Sequence, residues 1–393
     1  MTTLTPAASV ITAVVLTRDE EAGIAATVGA LAPAADRLLL IDAGSTDDTV
    51  TTARAAAAAA ALPFRAVHRP WRDDFAAQRN HAFAEVTEGW LLFVDADEHL
   101  RAGHAALLRQ AVHEADRTPA ARDLVLSPRI VDAENGDSYD RTRRILRADT
   151  RLRFRGRIHE QPFHPDGSAP ESTGLDAELV HHGYLPEVVA ARGKRARDGA
   201  LIARCRQEEP ANPTWVFYAG REILAARVTD RAAVTRAYAD LRDAVARYAE
   251  EGLTDYERQR EQEAYGLLAE LALRTGDRTR IDECLTLLRR AGRTGEAAYY
   301  GTLVESGLLL ARLSALVDGL DEAARSAGPV RPGLAGSHAE LRALLTLACG
   351  RYDEVPDAYR TAVSCGAGDQ VREAFAGLRA LLDDAATADT GPR

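Results

Sequence analysis

The chain has 393 residues, of which 46% are hydrophobic and 27% charged, and its formal net charge is -10. This length allows two or three domains, and the composition is that of a globular protein. The acidic balance argues against general nucleic-acid binding, which usually requires a basic excess. No apolar run is long enough to span a bilayer, and residues 1–9 lack the features of a signal peptide. The four cysteines form no CxxC pair, which favours reduced cysteines in a cytoplasmic protein.

The first hundred residues alternate between short apolar runs and longer helical stretches. Short unbroken runs of large apolar residues are typical of strands buried on both faces. Alternation of such strands with helices predicts an α/β fold with a parallel, doubly wound sheet. The predicted strands are residues 10–16, 38–41, 64–68 and 90–95, with helices after residue 17 and over 48–61 and 74–85.

Two of these helices are predicted to begin at capping boxes. Thr17 and Glu20 have the required spacing, and so do Ser45 and Asp48. Gly44 permits the tight turn that precedes the second of these helices.

The strand at 90–95 ends in three carboxylates, Asp95, Asp97 and Glu98. Two carboxylates one residue apart can bind a hard divalent cation. An acidic helix N-terminus, which the helix dipole favours, explains the same residues equally well. The polar residues of the other two strand ends favour the first interpretation.

Polar side chains follow three separate strands, at 17–20, 42–45 and 95–97. The carboxyl ends of parallel strands meet at one crevice, so these residues are expected to converge. The sequence has neither a Gly-x-Gly-x-x-Gly turn nor a Gly-Lys-Ser/Thr loop at these positions. A nucleoside diphosphate in this acidic crevice would therefore require a metal ion to neutralise its charge.

Four segments in the first hundred residues resemble the family 2 (GT-A fold) glycosyltransferases. The similarity is greatest to a bacterial branch with a C-terminal tetratricopeptide-like domain, which includes enzymes that glycosylate peptides on Ser or Cys. Asp19 departs from the Asn that the family more often has. The segments are Thr17-Arg18-Asp19-Glu20-Glu21, Ile41-Asp42-Ala43-Gly44-Ser45-Thr46-Asp47-Asp48-Thr49, Trp71 with Asp74-Phe75 and Arg79-Asn80, and Asp95-Ala96-Asp97-Glu98.

The resemblance implies roles for individual residues. Asp97 would bind Mg2+ or Mn2+, and His181 in Val180-His181-His182-Gly183-Tyr184 takes the position of a late histidine that completes such sites. Thr17 and Ser45 could instead serve only as helix caps. Arg79 could instead be a surface arginine on an exposed helix. The implied nucleotide-sugar-binding residues are Thr17, Glu20, Asp42, Ser45, Arg79, Asp95 and Ala96.

The segment Phe154-Arg155-Gly156-Arg157-Ile158-His159-Glu160 resembles a second motif of the same branch. Inverting displacement at an anomeric carbon requires a base for the acceptor's proton. Glu160 is the candidate base, and His159 is either the alternative base or a partner that positions Glu160. A buried Glu160 paired with a nearby arginine is the structural alternative.

An arginine-dense segment, residues 141–157, leads into and overlaps this second motif. A site for a polyanion is one interpretation. Alternating solvated arginines, some of them paired with carboxylates, are the favoured one, although one or two could face a diphosphate. The segment contains Arg141, Arg143, Arg144, Arg147, Arg151, Arg153, Arg155 and Arg157.

Helical periodicity replaces the strand pattern in the second half. Residues 185–209 are predicted to be helical, and Pro210 to Pro213 break the helix. The predicted domains are residues 1–209 (GT-A, Rossmann-like, mostly parallel sheet), 210–384 (all-α, tetratricopeptide-like helical hairpins) and 385–393 (disordered). Predicted core stripes are Ala264, Leu267, Leu268 and Leu271, and Leu341, Leu344, Leu345 and Ala348.

The resemblance predicts an inverting, metal-dependent glycosyltransferase that uses a nucleotide-sugar donor, and the expected donor is a UDP-sugar. The acceptor would be a peptide, a protein or a small molecule, and the helical domain could also form a homodimer. The alternatives are a catalytically inactive nucleotide-sugar-binding, tetratricopeptide-like interaction protein, or nucleotidyl transfer.

Overall fold

The computed structural model describes residues 9–117, 121–140, 142–182, 194–326, 331–373 and 376–377. The chain divides into two compact units, Met1–Gly276 and Asp277–Arg393. The predicted boundary near residue 210 lies inside the first unit and stays a prediction. The predicted disordered tail lies outside the described residues, as do Gly183, Tyr184 and the first part of the helix predicted for 185–209.

The first unit contains a mixed sheet and a separate two-stranded hairpin. The predicted strands at 10–16, 38–41, 64–68 and 90–95 are all present, with ends shifted by no more than one residue. The sheet comprises β1 (Ile11–Thr17), β2 (Arg37–Asp42), β3 (Phe64–His68), β4 (Trp90–Asp95), β5 (Glu98–Leu100), β6 (Val125–Asp132), β7 (Ser138–Tyr139), β8 (Ile145–Arg147) and β11 (Ser172–His181), and the hairpin comprises β9 (Arg153–Arg155) and β10 (Gln161–Phe163).

The strand order within the described sheet is β3-β2-β1-β4-β8-β6-β11-β5, and β7 pairs with β6. Strands β3, β2, β1 and β4 are parallel, and so are β6 and β11. Strands β7, β8 and β5 pair antiparallel with their neighbours. The predicted α/β fold class, a mostly parallel sheet followed by a helical region, is confirmed.

Helices cover both faces of the sheet and then continue alone to the end of the first unit. Asp74 caps the helix predicted for 74–85, because its side chain accepts a hydrogen bond from the Ala77 amide. The helices are α1 (Ile24–Leu31), α2 (Thr49–Ala59), α3 (Phe75–Glu85), α4 (Ala105–Asp116), α5 (Lys194–Glu208), α6 (Pro213–Ala225), α7 (Arg231–Arg247), α8 (Asp255–Arg258) and α9 (Glu261–Thr275).

Alternate side chains of the central strands enter two hydrophobic clusters, one on each face. The first joins β1, β2 and β4 to α1, α2 and α4 through residues such as Val15 and Leu92. The second joins the same strands to α3 and β9 through residues such as Phe93 and Phe154. Residues at the ends of these strands are therefore fixed by a core on either side.

Both predicted capping boxes are wrong. The α1 helix begins only at Ile24, and neither α1 nor α2 has a side-chain cap. The Ser45 hydroxyl instead accepts a hydrogen bond from the amide of Asp19 at 3.0 Å. The Thr49 hydroxyl accepts one from the amide of Glu20 at 2.7 Å. These polar residues join the loop after β1 to the loop after β2, a long-range contact that local spacing does not predict.

Helices α6 and α8 pack against the β9–β10 hairpin. An ideal Cβ on Gly156 would lie 2.8 Å from Cη2 of Trp215, so the backbone and the indole are in close contact. The rings of Phe163 and Tyr256 meet edge to face, with centroids 5.1 Å apart. The segment that carries His159 and Glu160 is therefore supported by these helices.

The second unit consists of helices in its described part, and α12 packs against α13 as a hairpin. The predicted stripe on α9 of the first unit is buried. The stripe predicted on α12 is only partly correct, because Leu344 packs against a core cluster that contains Ala343, whereas Leu341 and Ala348 are exposed. The helices are α10 (Arg278–Arg290), α11 (Thr294–Ser326), α12 (Pro332–Ala348) and α13 (Val355–Ser364).

Candidate active site

The ends of β1, β2 and β4 lie side by side. In the parallel register Thr17 is paired with Asp42, and Leu16 is paired with Asp95. Thr17 and Asp42 are buried, with 4% and 5% of their surface exposed, whereas Asp95 is partly exposed. The structure thus places the polar residues of three strand ends at one edge of the sheet.

The Asp42 carboxylate organises the turn that follows β2. It accepts hydrogen bonds from the amides of Ser45 at 3.1 Å and Gly44 at 3.3 Å, and Nδ1 of His68 lies 3.0 Å from Oδ2. Burial raises the pKa of Asp42, but the hydrogen bonds from Ser45 and His68 outweigh it and set the pKa below its ordinary value. Asp42 is therefore a carboxylate at neutral pH, held in one orientation by its own turn.

Arg79 on α3 joins two carboxylates from different parts of the chain. Its Nη2 donates to Oδ1 of Asp95 at 2.7 Å, and its Nε donates to Oε1 of Glu160 at 2.5 Å. The Arg79 side chain is 6% exposed and that of Glu160 is 9% exposed. The alternative of a buried glutamate paired with an arginine therefore describes Glu160 correctly, and it places the candidate base one residue away from the strand-end carboxylates.

Arg144 extends this network on its other side. Its Nη2 donates to Oδ2 of Asp95 at 3.0 Å and to Oε1 of Glu98 at 2.8 Å. Glu98 also accepts a hydrogen bond from the Asp95 amide at 2.9 Å. A continuous chain of charges therefore runs from Glu160 through Arg79, Asp95 and Arg144 to Glu98; we call these five residues the charge network.

The charge network lowers the pKa of one of its carboxylates, whereas the pKa of another is raised. Burial raises the pKa of Asp95, but the charges of Arg144 and Arg79 outweigh burial and hold it well below its usual range. Burial also raises the pKa of Glu98, and there Arg144 offsets burial only in part, so that the pKa is about 7. Asp95 is thus ionised throughout the neutral range, whereas Glu98 exchanges a proton near neutrality.

The sequence pattern does not distinguish Arg144 from its neighbouring arginines, and it indicates no separate role for Glu98. Arg144 directly precedes β8, and its carbonyl accepts a hydrogen bond from the Phe93 amide of β4 at 2.8 Å. Three other arginines of the same segment have the paired positions expected of them, whereas Arg153 and Arg155 donate to backbone carbonyls. Of the paired arginines, Arg151 pairs with Asp123, and Arg157 pairs with Glu208. Arg141 lies outside the described residues.

Asp97 faces His181 across the β5–β11 edge. Nε2 of His181 lies 3.6 Å from Oδ2 of Asp97, and the Asp97 carbonyl accepts a hydrogen bond from the His182 amide at 2.9 Å. Ala96 between the two aspartates is buried, and its carbonyl accepts a hydrogen bond from the Thr27 hydroxyl at 2.6 Å. The backbone of this turn is therefore fixed on both sides.

One carboxylate and one imidazole at this separation can both ligate a single divalent cation, and Mn2+ accepts this pair of donor types. Among the described residues no group of three or more His, Cys, Asp or Glu side chains has the arrangement of a metal site. Within the described residues, Asp97 and His181 supply one oxygen and one nitrogen donor, and phosphate oxygens and water can occupy the other positions of such a cation. The residues present are compatible with a cation of this kind.

The His159 side chain contacts helix α6. Its ring stacks on Tyr218 of α6, with centroids 4.0 Å apart and planes at 15°, and Nε2 lies 3.0 Å from Nη2 of Arg221. The backbone of His159 has a φ of 55°, a conformation that costs free energy for a residue other than glycine. His159 therefore anchors the turn that carries Glu160 to α6.

Residues 12–170 match the sequence profile of glycosyl transferase family 2. Over these residues the sheet domain of this chain is similar to members of that family. This result agrees with the resemblance inferred from the four motifs. The roles of individual site residues stay predictions.

Two curated relatives match part of this chain. The SPbeta prophage-derived glycosyltransferase SunS of Bacillus subtilis is 26% identical over 188 residues, which cover 48% of this chain and 43% of SunS. A TPR repeat-containing protein of Synechococcus elongatus is 30% identical over 146 residues, 37% of this chain and 33% of that protein. The chain therefore spans less than half the length of the curated relatives it matches.

Two solved structures are also similar. S. aureus TarS 1-349 is 15% identical with a TM-score of 0.36, and the match covers 76% of this chain and 92% of that one. M. tuberculosis glucosyl-3-phosphoglycerate synthase in complex with Mg2+ and uridine diphosphate is 21% identical with a TM-score of 0.24, covering 32% and 44%. Separately, no helix in the described part of this chain is both long and apolar enough to cross a membrane.

Proposed function

We propose that this chain is an inverting, metal-dependent glycosyltransferase that moves a sugar from a UDP-sugar to an acceptor. The observation that carries the proposal is the charge network, which joins Glu160 to Asp95 through Arg79 at the strand ends of a domain similar to family 2. In this network only the Arg79 side chain lies between Glu160, the candidate base, and Asp95 of the candidate donor site. Catalysis of glycosyl transfer requires that proximity.

In this proposal the strand ends bind the donor. Asp42 is ionised and fixed by its turn, so it can accept hydrogen bonds from a ribose or a base without reorienting. Thr17 is its neighbour in the register, and Ser45 and Glu20 belong to the two loops that hydrogen-bond to each other. Asp95, Ala96 and Arg79 follow on the β4 side.

Asp97 and His181 would hold the Mg2+ or Mn2+ ion. When bound, the cation offsets charge on the departing diphosphate. The chain's own contribution is to keep an oxygen and a nitrogen donor 3.6 Å apart at a turn whose backbone hydrogen bonds are complete on both sides. Two protein ligands leave room for phosphate oxygens, because such cations usually retain water or substrate in several positions.

Glu160 is the proposed base. Arg79 holds Oε1, and within the described part of the chain no group hydrogen-bonds to Oε2. The acceptor's proton would move to Oε2 as the acceptor atom bonds to the anomeric carbon. The bond between that carbon and the diphosphate oxygen breaks, and its electrons leave with the diphosphate. Attack opposite the leaving group inverts the configuration.

We further propose a peptide or protein acceptor. Helices α6 and α8 pack against the β9–β10 hairpin, whose connecting loop carries Glu160, so the surface beside the candidate base includes helices. Helical arrays present grooves that suit extended polypeptide segments.

The test measures release of UDP from a panel of UDP-sugars in the presence of Mn2+. The first experiment contains no acceptor, so that the release reports hydrolysis of the donor. Wild-type protein should release UDP, and Glu160→Gln should slow release by about 10²–10⁴-fold while leaving donor binding intact. Asp140→Asn, an exposed carboxylate change on the same domain, serves as the matched control and should be silent. Binding of a UDP-sugar without any release would instead support an inactive binding protein, and release of pyrophosphate would support nucleotidyl transfer.

A further inference from the structure

Helix α11 of the second unit is much longer than the helices on either side of it in the chain. Its N-terminal part packs against α10 and its C-terminal part against α12. Between them, all residues from 305 to 312 are exposed. About two turns of this helix are thus largely solvent-exposed.

The exposed turns are apolar rather than polar. Leu308, Leu309 and Leu310 are 52%, 59% and 46% exposed, and they point in different directions around the helix. An isolated exposed leucine is ordinary, but contiguous apolar surface on a monomer marks an interaction site. An ordinary surface helix is polar on its solvent side, and this segment is not.

One face of the segment combines leucines with opposite charges. Successive residues of a helix are about 100° apart around its axis, so five side chains fall within one face about 100° wide. We call this set the Leu308 face; it consists of Glu305, Leu308, Leu309, Arg312 and Leu316. Leu310 lies about 200° from Leu308 and is not part of it. Leu316 is 53% exposed and extends the face by one turn.

The charges of the Leu308 face are incompletely paired. Oε1 of Glu305 lies 2.9 Å from Nη2 of Arg278, which also pairs with Asp282, and the Glu305 side chain remains 60% exposed. Arg312 makes no ion pair with any other described residue. The arginine therefore has capacity for a carboxylate from outside the chain.

The arrangement is complementary to itself. Glu305 and Arg312 lie at equal distances, three and a half residues or about 5 Å along the axis, on either side of the midpoint between Leu308 and Leu309. A two-fold axis through that midpoint would set two antiparallel helices across each other. Glu305 would then face Arg312 of the partner subunit, and Leu308 would face Leu309 of the partner subunit.

We propose that the Leu308 face is the contact between two copies of this chain, which cross antiparallel at α11. An unrelated partner would not require a charge pattern symmetric about the leucines, whereas a two-fold dimer does. This inference concerns the second unit and is independent of the proposed transferase activity.

The test is sedimentation equilibrium of the full chain over a concentration series. Wild-type protein should be a dimer, and Leu308→Glu/Leu309→Glu should raise the dimer dissociation constant by about a hundredfold or more, since it removes the apolar centre and adds like charges. Leu310→Glu on the opposite side of the helix is the matched control and should leave the constant within about threefold of wild type. Circular dichroism at 222 nm shows that each variant keeps its helices.

Charge-reversal variants provide a second experiment, which tests the antiparallel register of the two helices. Arg312→Glu should weaken the dimer, and adding Glu305→Arg should restore at least about tenfold of the loss, because each pair is then opposite in sign again. A monomeric wild type, or a dimer that the leucine pair does not weaken, would overturn the proposal. Failure of the double charge exchange to restore affinity would exclude the antiparallel arrangement.

Discussion

Replacement of Arg144 by methionine tests whether the charge network stabilises the first unit. Arg144 is the cation between Asp95 and Glu98, with bonds of 3.0 Å and 2.8 Å, and its side chain is 12% exposed. Methionine retains the length and apolar stem but leaves two carboxylates without their shared partner. We expect the free energy of unfolding to fall by about 3–5 kcal/mol, the usual cost of removing one member of a buried ion pair.

Arg151→Met is the matched control from the same arginine-dense segment. Arg151 also pairs with a carboxylate, that of Asp123, but its side chain is 64% exposed. Exposed pairs contribute little because water and salt screen them, so a loss of about 0–1 kcal/mol is expected. Arg144 is more buried than Arg151 and has two carboxylate partners instead of one, so the difference between the two variants measures the combined effect of burial and of the second ion pair.

The assay is urea unfolding followed by tryptophan fluorescence. The chain has three tryptophans, Trp71, Trp90 and Trp215, and all three lie in the first unit, so the signal reports that unit alone. The loss in Arg144→Met should be smaller at pH 5.5 than at pH 8, because protonation of the neighbouring carboxylate removes part of the unpaired charge. Equal losses in the two arginine variants, or a loss independent of pH, would refute this reasoning.

Two further predictions concern the same unit. The pKa of Glu98 is about 7 in the folded protein against 4.5 for a free glutamate, so the folded state binds more protons and stability from this group falls as pH rises between those values. Glu98→Gln should remove that part of the pH dependence in unfolding curves from pH 4.5 to 8, and an unchanged profile would contradict the burial of its charge. Gly156→Ala should lower the free energy of unfolding by about 1–3 kcal/mol, since its Cβ would lie 2.8 Å from Trp215 and φ is +95°. Gly174→Ala, where no atom lies within 4 Å, should cost less than 1 kcal/mol, and equal melting points for the two would count against the contact.

The strands of the sheet could be predicted from the sequence because their signal is local. Leu38–Ile41 and Trp90–Val94 are unbroken apolar runs, and a parallel sheet covered on both faces requires such runs. The order of polar residues at three strand ends then predicts their convergence, since the topology of a parallel sheet leaves no other arrangement.

The errors arose where distant residues compete with local spacing. Ser45 has capping-box spacing to Asp48, but its hydroxyl bonds to the amide of Asp19 in another loop. Arg144 could not be distinguished from its neighbouring arginines, because its two carboxylate partners are 46 and 49 residues away. Sequence patterns identify residue types and periodicity, whereas partner choice depends on the completed fold.

The most direct test of the proposed function is the affinity of the chain for UDP with and without Mn2+, measured by isothermal titration calorimetry. If Asp97 and His181 bind a cation that also contacts the diphosphate, Mn2+ should tighten UDP binding by about tenfold or more, the usual size of coupling between two ligands. Asp97→Asn should abolish this gain while UDP alone still binds. The same affinity in the presence and absence of Mn2+, or a full gain in Asp97→Asn, would contradict the proposal.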